Sequence, residues 1–240
     1  MVNKNQVLIY GRHAVIAAIN NPRRHIIKVM CLRENANELK GKIADNKIAI
    51  VERKEIDRQL SSDAVHQGFL AVAEMLPDTD IEEICEQAQQ LENCHLLILD
   101  QVTDPQNIGA IVRSCAAFGS LALIVQDKNS PQESGAMLKA AAGTFENMPM
   151  CRVTNLSRAL EQLKKAGFWI VGMDGYAQTD IDKFDKKGRL AVVMGSEGKG
   201  MRRLVEESCD ITLRLPIAKN VESLNVSTAA AVVLYELNRQ

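Results

Sequence analysis

Leu190-Ala-Val-Val-Met-Gly-Ser-Glu-Gly-Lys-Gly200 is an apolar run that ends in a glycine-rich bend. An apolar run of this length between turn residues reads as a strand buried on both faces, as in parallel sheets covered by helices. The glycines stand at the strand's end, where a backbone without Cβ can take positive φ and let a ligand come close. Met201 to Cys209 then suits a short helix, and Ile211-Thr-Leu-Arg-Leu215 a second strand closed by Pro216. Lys219-Asn-Val-Glu-Ser-Leu-Asn225 leads into a helix from Val226 to Asn238, whose Ala229, Ala230 and Ala231 permit close packing. Two loops therefore leave the same edge of a sheet. Open α/β sheets bind ligands outside the carboxyl ends of their strands, which predicts a pocket for a nucleotide-like molecule here. The bend is not a Walker A loop, because Lys199 precedes Gly200 instead of Ser or Thr. Nor is it the dinucleotide fingerprint, since Arg203 stands where the third glycine belongs. Alone, the bend would read as an ordinary tight turn; the second loop beside it makes the case for a site.

With 46% hydrophobic content, 240 residues suffice for a real core, as one large domain or two small ones. No apolar stretch is long enough to span a bilayer, and Met1-Val-Asn-Lys-Asn-Gln6 lacks the charged and then apolar order of a signal peptide. A cytoplasmic protein with no membrane partner is expected. Cys31, Cys85, Cys94, Cys115, Cys151 and Cys209 are scattered, and His13, His25, His66 and His95 have no ligand spacing, so neither disulfides nor a metal are expected. The cysteines read instead as small buried apolar residues. A net charge of −1 hides an asymmetry: residues 1–76 hold 12 Lys and Arg against 8 Asp and Glu, and residues 77–95 hold none against 6. A basic first part masked by an acidic connector fits a nucleic-acid partner, although a lysine-rich solvated surface gives the same count.

The first segment alternates strand and helix patterns: Val7 to Tyr10, Ala14 to Asn20, Ile26 to Cys31, Asn35 to Ala44, Ile48 to Val51, Lys54 to Leu60 and Phe69 to Ala73. That order makes residues 1–76 a small α/β domain. Gly11-Arg-His13 lies at a strand-to-helix turn with Arg23 and Arg24 near in sequence, a set that could meet phosphates or simply face water. Residues 77–95 read as an acidic linker, with Asp80 placed to cap a helix running toward Gln90. Residues 96–240 form a second α/β series, with strands at Leu96 to Leu99, Leu121 to Val125, Met150 to Val153, Trp169 to Met173 and the Leu190 run. A parallel sheet is predicted.

Within Asp100-Gln-Val-Thr-Asp-Pro-Gln-Asn-Ile-Gly-Ala-Ile-Val-Arg113 a loop turns into a helix near Asn107. At helical spacing Ile108, Ile111, Val112, Cys115 and Phe118 form one apolar stripe. Arg113 points almost the opposite way, among Gly109, Ala110, Ala116 and Ala117. Small neighbours let a phosphate, a ligand or a second subunit approach the guanidinium, while an exposed surface arginine fits the pattern equally well.

Asn107-Ile-Gly-Ala-Ile-Val-Arg113, Met194-Gly-Ser-Glu-Gly-Lys-Gly-Met201 and Leu215-Pro-Ile-Ala-Lys-Asn-Val-Glu-Ser-Leu-Asn-Val-Ser227 resemble the three ordered motifs of SPOUT-class, TrmH-family RNA 2′-O-ribose methyltransferases. Tyr10-Gly-Arg-His-Ala-Val15 resembles that family's ribosomal-protein-like RNA-binding domain, so the likeness covers nearly the whole chain. It implies S-adenosylmethionine as methyl donor, a guanosine of 23S ribosomal RNA as substrate, a trefoil-knotted parallel-sheet domain and a homodimer with active sites at the interface. The resemblance places Met194, Gly195, Gly198, Leu215, Ile217 and Leu224 at the cofactor. It places Asn107, Arg113, Glu197 and Asn225 in the polar catalytic set, with Ser223 and Ser227 beside them. Ala218-Lys-Asn-Val-Glu222 is more charged than the family pattern, and Gln101 stands where a glycine is more usual.

The chemistry is in-line attack of a ribose oxygen on a sulfonium methyl, in which positioning supplies much of the rate. On that resemblance Arg113 would be an electrostatic partner rather than a base, because a guanidinium does not give up its proton in water near neutrality. It would hold the target's phosphate or the developing alkoxide. Asn107 would orient Arg113 or the ribose, and Glu197 the Gly195 loop or an RNA donor. The same chemistry on tRNA and a non-catalytic RNA-binding role are the other readings.

Overall fold

The computed structural model describes Asn3, residues 5–218 and residues 220–239, so Lys219 of the Ser-Leu-Asn loop lies outside the described residues. They sort into two compact units: residues 1–77 together with 132–147, and residues 78–131 together with 148–240.

The first unit opens with β1 (Gln6–Tyr10), α1 (Arg12–Asn20), β2 (Ile26–Cys31), β3 (Ile48–Ile50), α2 (Arg53–Asp57) and β4 (Phe69–Glu74). Its sheet runs in the order β1-β4-β2-β3, with β4 antiparallel to both neighbours and β3 parallel to β2. Val7 and Ile9 of β1 alternate inward as a half-buried strand demands. Gly11 turns the chain into α1 at a φ of 90°, a value that favours glycine. The helix expected over Asn35 to Ala44 is instead a 3₁₀ turn at Arg33–Glu38 followed by turns. Leu39 is the only buried residue between 35 and 42, and Gly41 takes a φ of 73°, so no apolar stripe holds a helix there.

The second unit contains α3 (Ile81–Gln89), β5 (Cys94–Leu99), α4 (Pro105–Ala117) and β6 (Leu123–Gln126). After α5 (Gly135–Ala141), which belongs to the first unit, it continues with β7 (Met150–Val153), α6 (Leu156–Lys165), β8 (Phe168–Met173), β9 (Thr179–Asp180), β10 (Arg189–Met194), α7 (Arg203–Glu206), β11 (Ile211–Arg214) and α8 (Val226–Asn238). Seven strands pair in the order β7-β6-β5-β10-β8-β11-β9, every pair parallel, as the strand and helix alternation predicts. The Leu190 run is buried throughout and sits centrally as β10. Leu96, Ile98, Ile124, Ile170, Ala191 and Val193 share a core with α3 and α6. On α4, Ile108, Ile111, Val112 and Cys115 are buried, and this helix packs against α8.

The acidic 77–95 stretch is not a free linker. Ile81, Ile84 and Ala88 recur at helical spacing and enter the core of the second unit, while Glu82, Glu83 and Glu86 occupy the exposed face of α3. Asp80 holds the N-cap position without a side-chain bond to the helix.

Residues 132–147, expected inside the second α/β series, complete the first unit. Helix α5 lies against β1, and Gly135 approaches so closely that a Cβ there would stand 2.5 Å from the Leu8 carbonyl oxygen. Arg24, expected among exposed phosphate-binding groups, has no exposed side-chain surface. Its guanidinium donates to Glu133 at 2.6 Å, to the two oxygens of Glu146 at 2.8 and 3.1 Å, and to the Glu74 carbonyl at 2.9 Å. Asn21 donates to Glu146 at 2.7 Å, and Glu133 also accepts the Leu76 N–H at 3.0 Å. Burial pushes the Glu133 carboxyl upward against the pull of Arg24. Replacing Arg24 with Ala strands two buried carboxylates and should cost about 3–5 kcal/mol in urea unfolding. Arg23→Ala, on the exposed side of the same turn, should stay within about 0.5 kcal/mol.

Candidate active site

The register sets Leu99 of β5, Met194 of β10, Met173 of β8 and Leu213 of β11 level with one another. The loops that follow these strands therefore leave one edge of the sheet. From β5 the chain steps to β6 and β7 on one side and only later to the other side, so this edge is a topological switch point.

The Gly195 loop folds back on itself. Ser196 and Gly200 exchange backbone bonds of 3.1 and 2.9 Å, and Gly198 and Gly200 take φ values of 78° and 65°. Gly195 itself does not have positive φ; a Cβ there would stand 2.2 Å from the Gly200 carbonyl carbon. The bare backbone at this position thus serves the loop's own return. The loop's exit is clamped by Asp100, a fully buried carboxylate at the end of β5. Asp100 accepts the Arg202 N–H and Nε–H at 2.8 Å each, and an Arg202 terminal nitrogen lies 2.7 Å away. Sequence reading passed over this pair, since the only signal was an acid ending an apolar strand and its partner lies 102 positions away. Gln101 follows at a φ of 62°, in the left-handed region that favours glycine.

Asn225 gathers the predicted polar residues. It caps α8: its Oδ1 accepts the Ser227 N–H at 2.9 Å, the Ser227 hydroxyl at 2.6 Å and the Thr228 N–H at 3.4 Å. With the oxygen committed to the helix, the amide nitrogen must face outward as a donor. It donates to Glu197 Oε1 at 2.7 Å and to Asn107 Oδ1 at 3.1 Å. Glu197 Oε1 also accepts the Val226 N–H at 3.0 Å, placing a carboxylate at the positive end of α8. Because Asn107 Oδ1 accepts from Asn225, its own amide nitrogen turns away as an open donor. Asn107 stands in the first turn of α4, which Asp104 caps through Gln106 N–H at 3.0 Å. Two helix N-termini and one carboxylate thus converge.

Arg113 does not join them. It lies six residues along α4, about 9 Å farther and about 120° around the helix from Asn107. It is exposed, opposite the buried stripe, and makes no hydrogen bond or ion pair among the described residues. Ser223 is exposed and likewise apart, whereas Ser227 is drawn into the cap. Met194 is buried, Leu215 and Leu224 are half-buried, and Ile217 is exposed. The N–H groups of Ile217, Ser223 and Leu224 have no partner among the described residues. In the first unit Arg12, His13 and Arg23 are exposed, with Arg12 2.8 Å from Glu38.

The family described as SpoU rRNA Methylase matches residues 95–235, and RNA 2′-O ribose methyltransferase substrate binding matches residues 8–79. The chain is 37% identical over 246 residues to the 23S rRNA (guanosine-2′-O-)-methyltransferase RlmB of Shewanella oneidensis, an alignment covering 99% of this chain and 98% of that relative. It is 41% identical to RlmB of Haemophilus ducreyi, with 97% of each chain covered. The SpoU methyltransferase AviRb from Streptomyces viridochromogenes, solved in complex with AdoMet, has the same fold, with a TM-score of 0.82 at 22% identity over 98% of this chain and 89% of that one. The A. aeolicus TrmH/SpoU tRNA modifying enzyme matches at a TM-score of 0.54 and 27% identity over 67% of this chain and 83% of its own. Among the described residues no helix is long and apolar enough to cross a membrane. Motifs that meet at one sheet edge, a match through most of the second unit and relatives alike from end to end have a single reading: the chain belongs to the SpoU rRNA Methylase family.

Proposed function

We propose that this protein transfers a methyl group from S-adenosylmethionine to the ribose 2′ oxygen of a guanosine in 23S ribosomal RNA, acting in the cytoplasm as a homodimer. The observation that carries this reading is the junction of Asn107, Glu197 and Asn225 at the switch point of the sheet. RlmB relatives spanning 97–99% of the chain support the ribosomal substrate over tRNA, since the tRNA modifying structure covers 67% of it.

The residues present fit the cofactor. Backbone donors at Ile217, Ser223 and Leu224 suit the edge of an adenine or the polar ends of an amino acid, and Leu215, Ile217 and Leu224 supply apolar contact. Met194, Gly195 and Gly198 would close the opposite side from the β10 loop. When bound, S-adenosylmethionine supplies an electrophilic methyl on a sulfonium. The chain's part is to bring up the ribose and to stabilise charge. Asn107, its amide held by Asn225, offers a fixed donor to the ribose or its phosphate. Glu197 keeps the Gly195 loop against the start of α8.

Arg113 supplies a permanent cation for the 2′ oxygen as it gives up its proton, or for the adjoining phosphate. Its distance from the Asn225 junction within one chain supports a site shared between protomers, with Arg113 of one facing the junction of the other. Val232 and Tyr235 of α8, 43% and 55% exposed, are apolar surface of the kind such a dimer would cover. The entry of β10 between β5 and β8, both earlier in the chain, supports the trefoil knot in the same proposal.

Asn225→Asp keeps an oxygen for the α8 cap but sets a second carboxylate against Glu197. Cofactor affinity by calorimetry and methyl transfer should both fall roughly 10- to 100-fold, while helix content is retained. Arg113→Ala and Arg113→Lys should each remove most transfer of labelled methyl with fold and cofactor affinity intact, because lysine lacks the planar fork. Mixed dimers of Arg113→Ala with Asn225→Asp should regain activity at one of two sites; no recovery in verified mixed dimers counts against the shared arrangement. In the first unit, Arg12→Gln and Arg23→Gln should each lower the salt slope of RNA binding by about 1 and leave cofactor binding unchanged.

A further inference from the structure

The loop after β8 carries a ring that the second unit leaves almost wholly in water. Tyr176 is 88% exposed, against 55% for Tyr235 and 52% for Trp169. The chain has only nine aromatic residues, so one placed this far from any core is not incidental filling. Its backbone is nevertheless held in place. Asp174 donates its N–H to the Leu213 carbonyl at 2.9 Å, and its side-chain oxygen accepts the Tyr176 N–H at 3.1 Å. The Asp174 carbonyl accepts the Ala177 N–H at 3.2 Å, and Ala177 is buried at 5% exposure. The ring is thus unpacked on a fastened turn.

Its place in the sheet matters as much. β8 lies between β10 and β11, with Met173 level with Met194 and Leu213, so this turn emerges between the Gly195 loop and the 215–225 loop. A ring lining a cofactor crevice would be recessed, whereas one standing this far out meets an occupant that arrives from solvent. Lys199, exposed on the adjoining loop and without an ion-pair partner among the described residues, offers a cation to a phosphate. A flat face on a prearranged backbone, with a cation on the loop of the adjoining strand, suits a nucleobase, because every base has a stacking face and little freedom remains to be lost.

We propose that Tyr176 stacks on an unpaired base of the RNA beside the target ribose and so positions the substrate. This rests on the reading of that edge as the methylation site. In the full-length protein, Tyr176→Ala should raise the KM for a 23S rRNA transcript about tenfold, with the affinity for S-adenosylmethionine unchanged. Tyr176→Phe should restore the wild-type KM, since stacking needs no hydroxyl. Tyr176→Trp in a Trp169→Phe background should be quenched by single-stranded RNA but not by the cofactor. If the wild type methylates the transcript and Tyr176→Ala has the same KM, the stacking role is wrong while the enzymatic reading stands. RNA that binds the wild type and quenches the tryptophan variant, with no methyl transferred by the wild type, leaves the stacking role and removes the reading of the edge. Parallel loss of cofactor affinity would assign the ring to the cofactor, and dissociation of the dimer at unchanged RNA affinity would assign it to a subunit contact; either overturns the proposal, as does an unquenched probe.

Discussion

An amide has one accepting end and one donating end, and Asn225 has both committed. Its oxygen takes two N–H groups and a hydroxyl of α8, which fixes the side chain before any other contact is considered. Its nitrogen then has to donate, and the acceptors within reach are Glu197 and Asn107. A helix cap thereby becomes the common anchor of three segments that are distant in sequence. Were the cap absent, the amide could flip, and neither the Glu197 carboxylate nor the Asn107 side chain would have a defined partner.

That anchor works because the strands beneath it end at the same level. Register is strongly specified wherever a strand packs side chains against a core, since a slip of one residue sends every side chain to the other face. Leu99 and Met194, buried neighbours in β5 and β10, hold the Asp100 and Gly195 loops side by side. Asp100 then clamps Arg202 at the loop's exit, as the Ser196 and Gly200 bridge closes its middle. The loop is held at both ends before Asn225 touches it.

Much of this was legible because it is local. The apolar run of β10, the period of α4 and the small-residue helix α8 are patterns within a dozen residues, and they put the loops of Glu197 and Asn225 at one edge; Asn107 joined them only through the family resemblance. The bonds among those residues were not legible, because hydrogen-bond direction depends on which end of an amide is already taken. The acidic stretch at 77–95 misled for another reason: Glu82, Glu83 and Glu86 dominate its composition, while the three apolar positions that bury α3 are few. Arg24 was illegible in principle, since Glu133 and Glu146 lie 109 and 122 residues away.

The same separation bears on how the first unit forms. Until Glu133 and Glu146 are in place, Arg24 has no carboxylate beside it, and a cation of that kind does not enter a core alone. Met137, Leu138 and Phe145 are buried in the same segment, so residues 1–77 also lack part of their apolar packing until residue 147 has been made. By then β5 and β6 of the second unit exist as well. The first unit is therefore not a module that folds first and waits, as an N-terminal domain ending at residue 76 would be. Its completion requires chain that lies between two strands of the neighbouring sheet, and cutting the protein after residue 76 would divide a buried ion triad rather than a linker.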